Sequence, residues 1–188
     1  MTKPAYGRVL LKVSGELLLG GQSFGVDPEV TGQIAREVAD VRSLGVQVAL
    51  VIGGGNIFRG ANLALNGMNK ITGDHIGMLA TVMNALAISD TFERNNIPSI
   101  VMSGFSIGGG VCVPFNHTKA KNALSEGKVV IFSAGTGSPC FTTDTAAALR
   151  AVEIEADIVF KAIGQKLVTE GLIENKSLEL KKGRIVVD

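Results

Sequence analysis

Apolar residues in this chain come in short unbroken runs, and between the runs they recur at helical spacing. Arg8-Val-Leu-Leu-Lys-Val13 predicts a buried strand that ends in Ser14-Gly15-Glu16. Asp27-Pro28 predicts a helix start, with Asp27 as N-cap and Pro28 in the first helical position. Val30, Ile34, Val38 and Val41 form its apolar stripe, Leu44 closes it, and Gly45 is a natural stop. Val46–Ile52 predicts a second buried strand, running into Gly53-Gly54-Gly55-Asn56. A longer helix is expected from near Asp74, with Ile76, Leu79, Ala80, Met83 and Leu86 as its apolar face. Ser99–Ser103 predicts a third strand, followed by a turn at Gly108-Gly109-Gly110 and a short helix over Thr118–Ser125. Val129–Ser133 predicts another strand, ending in Ala134-Gly135-Thr136-Gly137. A helix over Asp144–Glu155 and a strand over Asp157–Lys161 follow. Near the end, Ser177–Val187 reads as a hairpin turning at Lys182-Gly183.

The strands are continuous rather than alternating, and helices separate them. That pattern predicts an α/β fold: a mostly parallel sheet covered by helices on both faces. In such sheets ligands bind beyond the carboxyl ends of the strands. Three of the predicted strands end there in glycine-rich or polar loops. No linker or internal repeat divides the sequence, so a single domain over residues 1–188 is expected.

Composition narrows the function. Apolar residues make up 46% of the chain, enough for a sizeable core and too many for disorder. The 24 glycines cluster, which implies tight turns and close approach of backbone to a ligand. A net charge of +1, without a basic stripe, argues against nucleic acid as a partner. Cys112 and Cys140 form neither a disulfide framework nor a metal quartet, and read as small residues of a reducing compartment. Met1–Tyr6 lacks a signal-peptide h-region, and uninterrupted apolar runs such as Val46–Ile52 are too short to span a bilayer. A cytoplasmic protein with no membrane partner is the expectation.

Four constellations carry candidate chemistry. Lys12 sits near the end of a buried strand, where an unpaired charge is costly; either it snorkels to water or it meets an anion. The adjacent Ser14-Gly15, with unobstructed backbone donors, favours a phosphate. Gly53-Gly54-Gly55-Asn56, followed by Arg59-Gly60, exposes several N–H groups in a small concavity, and Arg59 could fork onto phosphate oxygens. Three glycines in a row exceed what a plain turn needs. Ala134–Asp144 carries two glycines, four hydroxyl residues and an acid, and opens onto a helix N-terminus that favours anions. Asp144 either caps that helix or holds Lys12 in position. Asp74 either caps its own helix or accepts hydrogen bonds from ribose hydroxyls, and His75 reads as structural. The two histidines, His75 and His117, suit neither a metal site nor a nucleophilic triad. Neither G-x-x-x-x-G-K-[ST] nor G-x-G-x-x-G after a strand occurs, so dispersed loops must bind phosphate.

Taken together these residues resemble the bacterial UMP (uridylate) kinases of the amino-acid-kinase fold family. The resemblance covers residues 8–162 and rests on Leu11–Glu16, Val51–Gly60, Gly73–Asn84, Ser133–Asp144 and Glu153–Ala162, in order and at family-like spacing. It implies a nucleoside monophosphate kinase of pyrimidine biosynthesis that makes ADP and UDP from ATP and UMP, with Mg2+ accompanying ATP and no protein metal site. It implies catalytic roles for Lys12 and Asp144, and ATP binding by Lys12, Val13, Ser14, Gly15, Gly55 and Arg59. UMP would be held by Gly54, Asp74, Thr136, Gly137, Ser138, Pro139, Cys140, Phe141, Thr142 and Thr143. The Gly20–Gly25 loop and the surroundings of Asp90 and Arg94 resemble elements tied to subunit contacts and to GTP or UTP regulation, and the family assembles as hexamers. From Ile163 the sequence departs. Ile163–Val168 stands where the family has a Thr-Lys-Val-Asp-Gly-Val-Tyr type run, and the chain reads as C-terminally shortened. The alternative is therefore a non-catalytic UMP-binding or assembly subunit without a competent ATP site. A carboxylate or carbamate kinase of the same fold is disfavoured by Asp74-His75 and Thr136–Thr143.

Overall fold

The computed structural model describes residues 4–58, 67–162, 180–181 and 184–185. Six parallel strands form the central sheet: β1 (Arg8–Val13), β2 (Gln47–Ile52), β3 (Ser99–Ser103), β4 (Val113–Pro114), β5 (Val129–Ser133) and β6 (Ile158–Ala162). Their spatial order is β4-β3-β5-β2-β1-β6. Helices α1 (Pro28–Ser43) and α2 (Lys70–Arg94) cover one face, and α3 (His117–Ser125) and α4 (Thr143–Glu153) the other. A separate antiparallel pair, β7 (Leu180–Lys181) and β8 (Arg184–Ile185), matches the expected hairpin; its turn at 182–183 lies outside the described residues.

Alternation along each strand explains why both faces are apolar. Val48, Leu50 and Ile52 of β2 point into the core shared with Ile34, Val38, Ile88 and Phe92. Ala49 and Val51 point into the opposite core, with Ala120, Leu124, Ala146 and Ala147. Each large aliphatic or aromatic residue so buried contributes roughly 1.5–3 kcal/mol. On β1 the same parity puts Leu10 into the α3/α4 core, so Lys12, two residues on, emerges at the top of that face.

The structure corrects several sequence expectations. Helix α2 starts at Lys70, not near Asp74, because Asn69 accepts the N–H groups of Ile71 and Thr72 as N-cap. Asp74 therefore lies in the second turn and caps nothing. The apolar face expected for α2 is largely turned outward, with Leu79 47% and Met83 57% exposed. The buried face carries Met78, Val82, Ala85, Ile88 and Phe92 together with Thr81, Asn84 and Thr91. By length and composition α2 would suffice to cross a membrane, a possibility that uninterrupted runs alone do not reveal, but here it packs along the sheet. Helix α4 begins at Thr143 with Thr142 as N-cap, so Asp144 is not the cap. On α1 the buried stripe ends at Val38, and Val41 and Leu44 are exposed. The two-residue strand β4 was too short to leave a pattern.

Candidate functional site

The site lies beyond the carboxyl ends of β1, β2, β5 and β6. Lys12, only 8% exposed, reaches across to α4, where its Nζ lies 2.9 Å from Asp144 Oδ1. In-register pairing of β1 with β6 places Lys161 beside Lys12 on the same face. Its Nζ takes the other carboxylate oxygen, Asp144 Oδ2, at 2.6 Å. Asp144 is held below the usual carboxylate range by its hydrogen bonds to Lys161 and then Lys12. One carboxylate thus orders two ammonium groups, and the cluster keeps a surplus positive charge at the sheet edge. Lys161 was not singled out from the sequence. The argument that flagged Lys12, a charge at the end of an apolar strand, applies to it equally.

Two glycine loops meet here in direct backbone contact. Ser14 caps the short 3-10 helix Gly15–Leu19 by accepting from the Leu17 N–H. A Cβ at Gly15 would lie 2.5 Å from the Gly55 nitrogen, and one at Gly53 2.7 Å from the Gly15 nitrogen, so glycine is required where the loops touch. The Val13 side chain is fully buried in the core, which leaves only its backbone for a ligand. Arg59 lies outside the described residues.

Beside these loops opens a cavity of about 440 Å³, within the range of small-molecule sites. Gly54, Gly55, Asp74, Thr136, Ser138, Phe141 and Thr143 line it, as do Phe58, Met68 and Lys70, which the sequence reading did not nominate. Asp74 Oδ2 accepts from Lys70 Nζ and from the Cys140 N–H, both at 2.8 Å. These bonds, Lys70 first, lower the Asp74 pKa, and Asp74 in turn raises that of Lys70. Gly137, Pro139, Cys140 and Thr142 do not line the cavity. Thr142 is spent on the α4 cap, and Cys140 contributes its amide, with φ 70°. His75 is exposed and His117 opens α3. No group of three or more potential metal ligands occurs among the described residues.

The loop after β5, residues 134–137, is braced from behind. Thr81 Oγ1 accepts the Ala134 N–H at 2.7 Å. Arg150, 3% exposed, lies 3.8 Å over the Phe115 ring, pairs with Glu153 at 2.6 Å and donates to the carbonyls of Gly135 and Thr136. Gly104, just past β3, packs so closely that a Cβ there would lie 2.7 Å from the Gly137 nitrogen and 2.9 Å from the Gly135 oxygen. Arg150 and Gly104 sit away from the recognisable loops, and no local pattern marks them.

Comparison with known proteins gives this geometry a setting. The amino acid kinase family profile matches residues 8–164. The chain is 62% identical over 162 residues to a uridylate kinase of Ruthia magnifica, covering 86% of the chain and 67% of that relative. It is 58% identical over 160 residues to a uridylate kinase of Pseudomonas aeruginosa PAO1, covering 85% and 65%. Among solved structures, a UMP kinase from Bacillus anthracis superposes with a TM-score of 0.80 at 34% identity, covering 85% of this chain and 65% of that one. A UMP kinase from Ureaplasma parvum gives 0.78 at 33%, covering 86% and 67%. The chain spans about two thirds of the length of the relatives it matches.

Proposed function

The chain belongs to the amino acid kinase family, and on that premise we propose that it transfers the γ-phosphoryl group of ATP to UMP, giving ADP and UDP. The observation that carries the reading is the buried Lys12, ordered by Asp144 at the junction of two glycine loops and beside a nucleotide-sized cavity. The uridylate kinase relatives, up to 62% identical, support the choice of UMP as acceptor.

The chemistry asks little of a protein nucleophile. The acceptor is a UMP phosphate oxygen, and a phosphate monoester with a second pKa near 6 is already largely dianionic at neutral pH, roughly −1.5 to −2. The bond from Pγ to the UMP oxygen forms as the bond from Pγ to the ADP oxygen breaks, and ADP leaves with the electron pair. Such a transfer depends on alignment and on charge stabilisation. Lys12 would supply positive charge to the transferred group, with Asp144 fixing its direction and Lys161 adding a second ammonium at the same edge. Backbone amides of Ser14, Gly15 and Gly55 would hold donor phosphates, with Val13 contributing its backbone and Arg59 its guanidinium. Gly54, Asp74, Thr136, Ser138, Phe141 and Thr143 would hold UMP, Asp74 facing the ribose.

Magnesium would come as part of the MgATP substrate. Both Asp144 oxygens are taken by lysines and no carboxylate cluster occurs among the described residues, so the ATP phosphates and water would supply its ligands. Residues 1–188 would form one amino-acid-kinase-like domain of a cytoplasmic, hexameric enzyme open to GTP or UTP regulation.

A coupled assay for ADP release, with UMP, CMP or buffer as acceptor, tests the proposal. UMP-dependent release is expected. Its absence, together with no UMP binding by calorimetry to the folded chain, would overturn the reading.

A further inference from the structure

Two asparagines stand at the centre of the site although neither lines the cavity. Asn56 is 4% exposed and Asn84 0%. They face each other as a reciprocal amide pair: Asn56 Nδ2 donates to Asn84 Oδ1 at 2.9 Å, and Asn84 Nδ2 donates to Asn56 Oδ1 at 2.7 Å. Each also holds a backbone carbonyl. Asn84 Nδ2 donates to Gly53 O at 2.7 Å, and Asn56 Nδ2 to Gly25 O at 2.8 Å. The Gly25 N–H returns a bond to Asn56 O at 3.3 Å. A Cβ at Gly15 would lie 2.6 Å from Asn56 Oδ1, so the amide also abuts the β1 loop. Four chain segments therefore converge on one polar pair: the β1 loop, the 20–27 segment, the β2 loop and α2.

A buried amide is costly unless its donors and acceptors are met, and here they are. A satisfied buried network selects one arrangement over its neighbours, which apolar packing does less sharply. The glycine loop needs such a selector. Glycines lose more conformational freedom on ordering than any other residue, and they carry no side chains by which to be held. Amide donors can cradle a phosphate only if their N–H groups already converge.

We propose that Asn56 and Asn84 are positioning residues that set the gap between the two phosphate loops, 14–16 and 53–55, and couple that gap to the 20–27 segment. The inference rests on the reading that these loops hold the donor phosphates. Of the cavity lining the pair reaches only Gly54 and Gly55, whereas the rest of the acceptor side keeps its own supports at Thr81, Arg150 and the Cys140 amide, so the pair bears mainly on the donor side.

The test is a double-mutant cycle of Asn56→Ala and Asn84→Ala in the full chain, with ATP and UMP varied separately. Each single change should raise KM for ATP about tenfold and lower kcat by roughly ten- to hundredfold, with a smaller rise in KM for UMP, about threefold, through Gly54. The double variant should be no worse than the worse single, because the two side chains act as a unit. Equal rises in both KM values, or a double variant that multiplies the single effects, would overturn the proposal. If the alanine variants fail to fold, Asn84→Asp keeps the volume and the acceptor for Asn56 but removes the donations to Gly53 O and Asn56 Oδ1, and the same split is expected. Amide hydrogen exchange gives a readout independent of turnover. Amides at 14–16 and 53–56 should exchange about tenfold faster in the Asn84 variant while β5 stays protected. Unchanged loop exchange would overturn the inference even in an active enzyme. Faster exchange in a chain that never turns over UMP would uphold it and count against the proposed function instead.

Discussion

Asp144 and Asp74 serve similar electrostatic ends from opposite kinds of scaffold. Asp144 joins lysines from two neighbouring strands, and the register of β1 with β6 fixes where those lysines stand. Asp74 is paired with Lys70 of its own helix, one turn earlier, and with a single loop amide at Cys140. The first arrangement is anchored in the sheet, with Lys12 buried on β1 and Lys161 on the more exposed edge strand β6. The second depends on an exposed i,i+4 pair, of a kind worth about 0.3–0.5 kcal/mol, and on a loop. The difference teaches that the sheet edge proposed to meet phosphate is built to be rigid, whereas the proposed acceptor cavity is held by contacts a ligand can readjust.

The largest test of that contrast is Lys12→Ala. It should lower kcat by about 10²–10³ with little change in KM for UMP, as loss of a fixed charge-stabilising donor does. A near-normal rate would remove the rigid edge from the chemistry. Next comes the charged brace of the proposed acceptor loop. Arg150→Leu removes a buried guanidinium with a ring contact and an ion pair, and should cost roughly 2–3 kcal/mol in urea denaturation. A loss below about 0.5 kcal/mol would mean that Arg150 does not brace that loop. Asp74→Asn should raise KM for UMP about tenfold, close to 1.4 kcal/mol, at nearly constant kcat. If kcat falls instead, the two carboxylates are not separated in role.

The smallest effect is the pH dependence. The Asp144 pKa is lower in the folded chain than its unfolded value near 3.9, so its contribution is fully present above about pH 4. It is lost as pH falls through the lowered folded value. Asp144 is half exposed, so screening should hold the difference to at most about 1 kcal/mol. Thermal unfolding of the wild type and of Asp144→Asn between pH 2 and 6 should show the wild type losing its advantage on acidification. Parallel curves would show that the lysine pairing adds nothing to stability.

Much of the fold was legible because buried parallel strands read as unbroken apolar runs. The bounds of β1, β3 and β5 follow directly from Arg8–Val13, Ser99–Ser103 and Val129–Ser133. Helix α2 misled for a physical reason. Its buried side must accommodate Thr81 and Asn84, which serve the site, so polar residues occupy core positions while Leu79, Met83 and Leu86 lie outside. Hydrophobic periodicity then points to the wrong face. Thr142 and Asn69 were missed as caps because Asp144 and Asp74, more conspicuous acids, stand nearby. Loop chemistry was legible in the glycine clusters. The braces Arg150, Thr81 and Gly104 were not, because each acts across the fold on a segment distant in sequence.

Gly104 has a consequence for how the protein tolerates change. It lines no part of the cavity, yet backbone of the 134–137 loop fills the space its side chain would need. In a library of every single substitution selected for growth, position 104 should be as intolerant as the loop it abuts. A map of permitted residues would therefore draw the boundary of the site one strand wider than any ligand footprint.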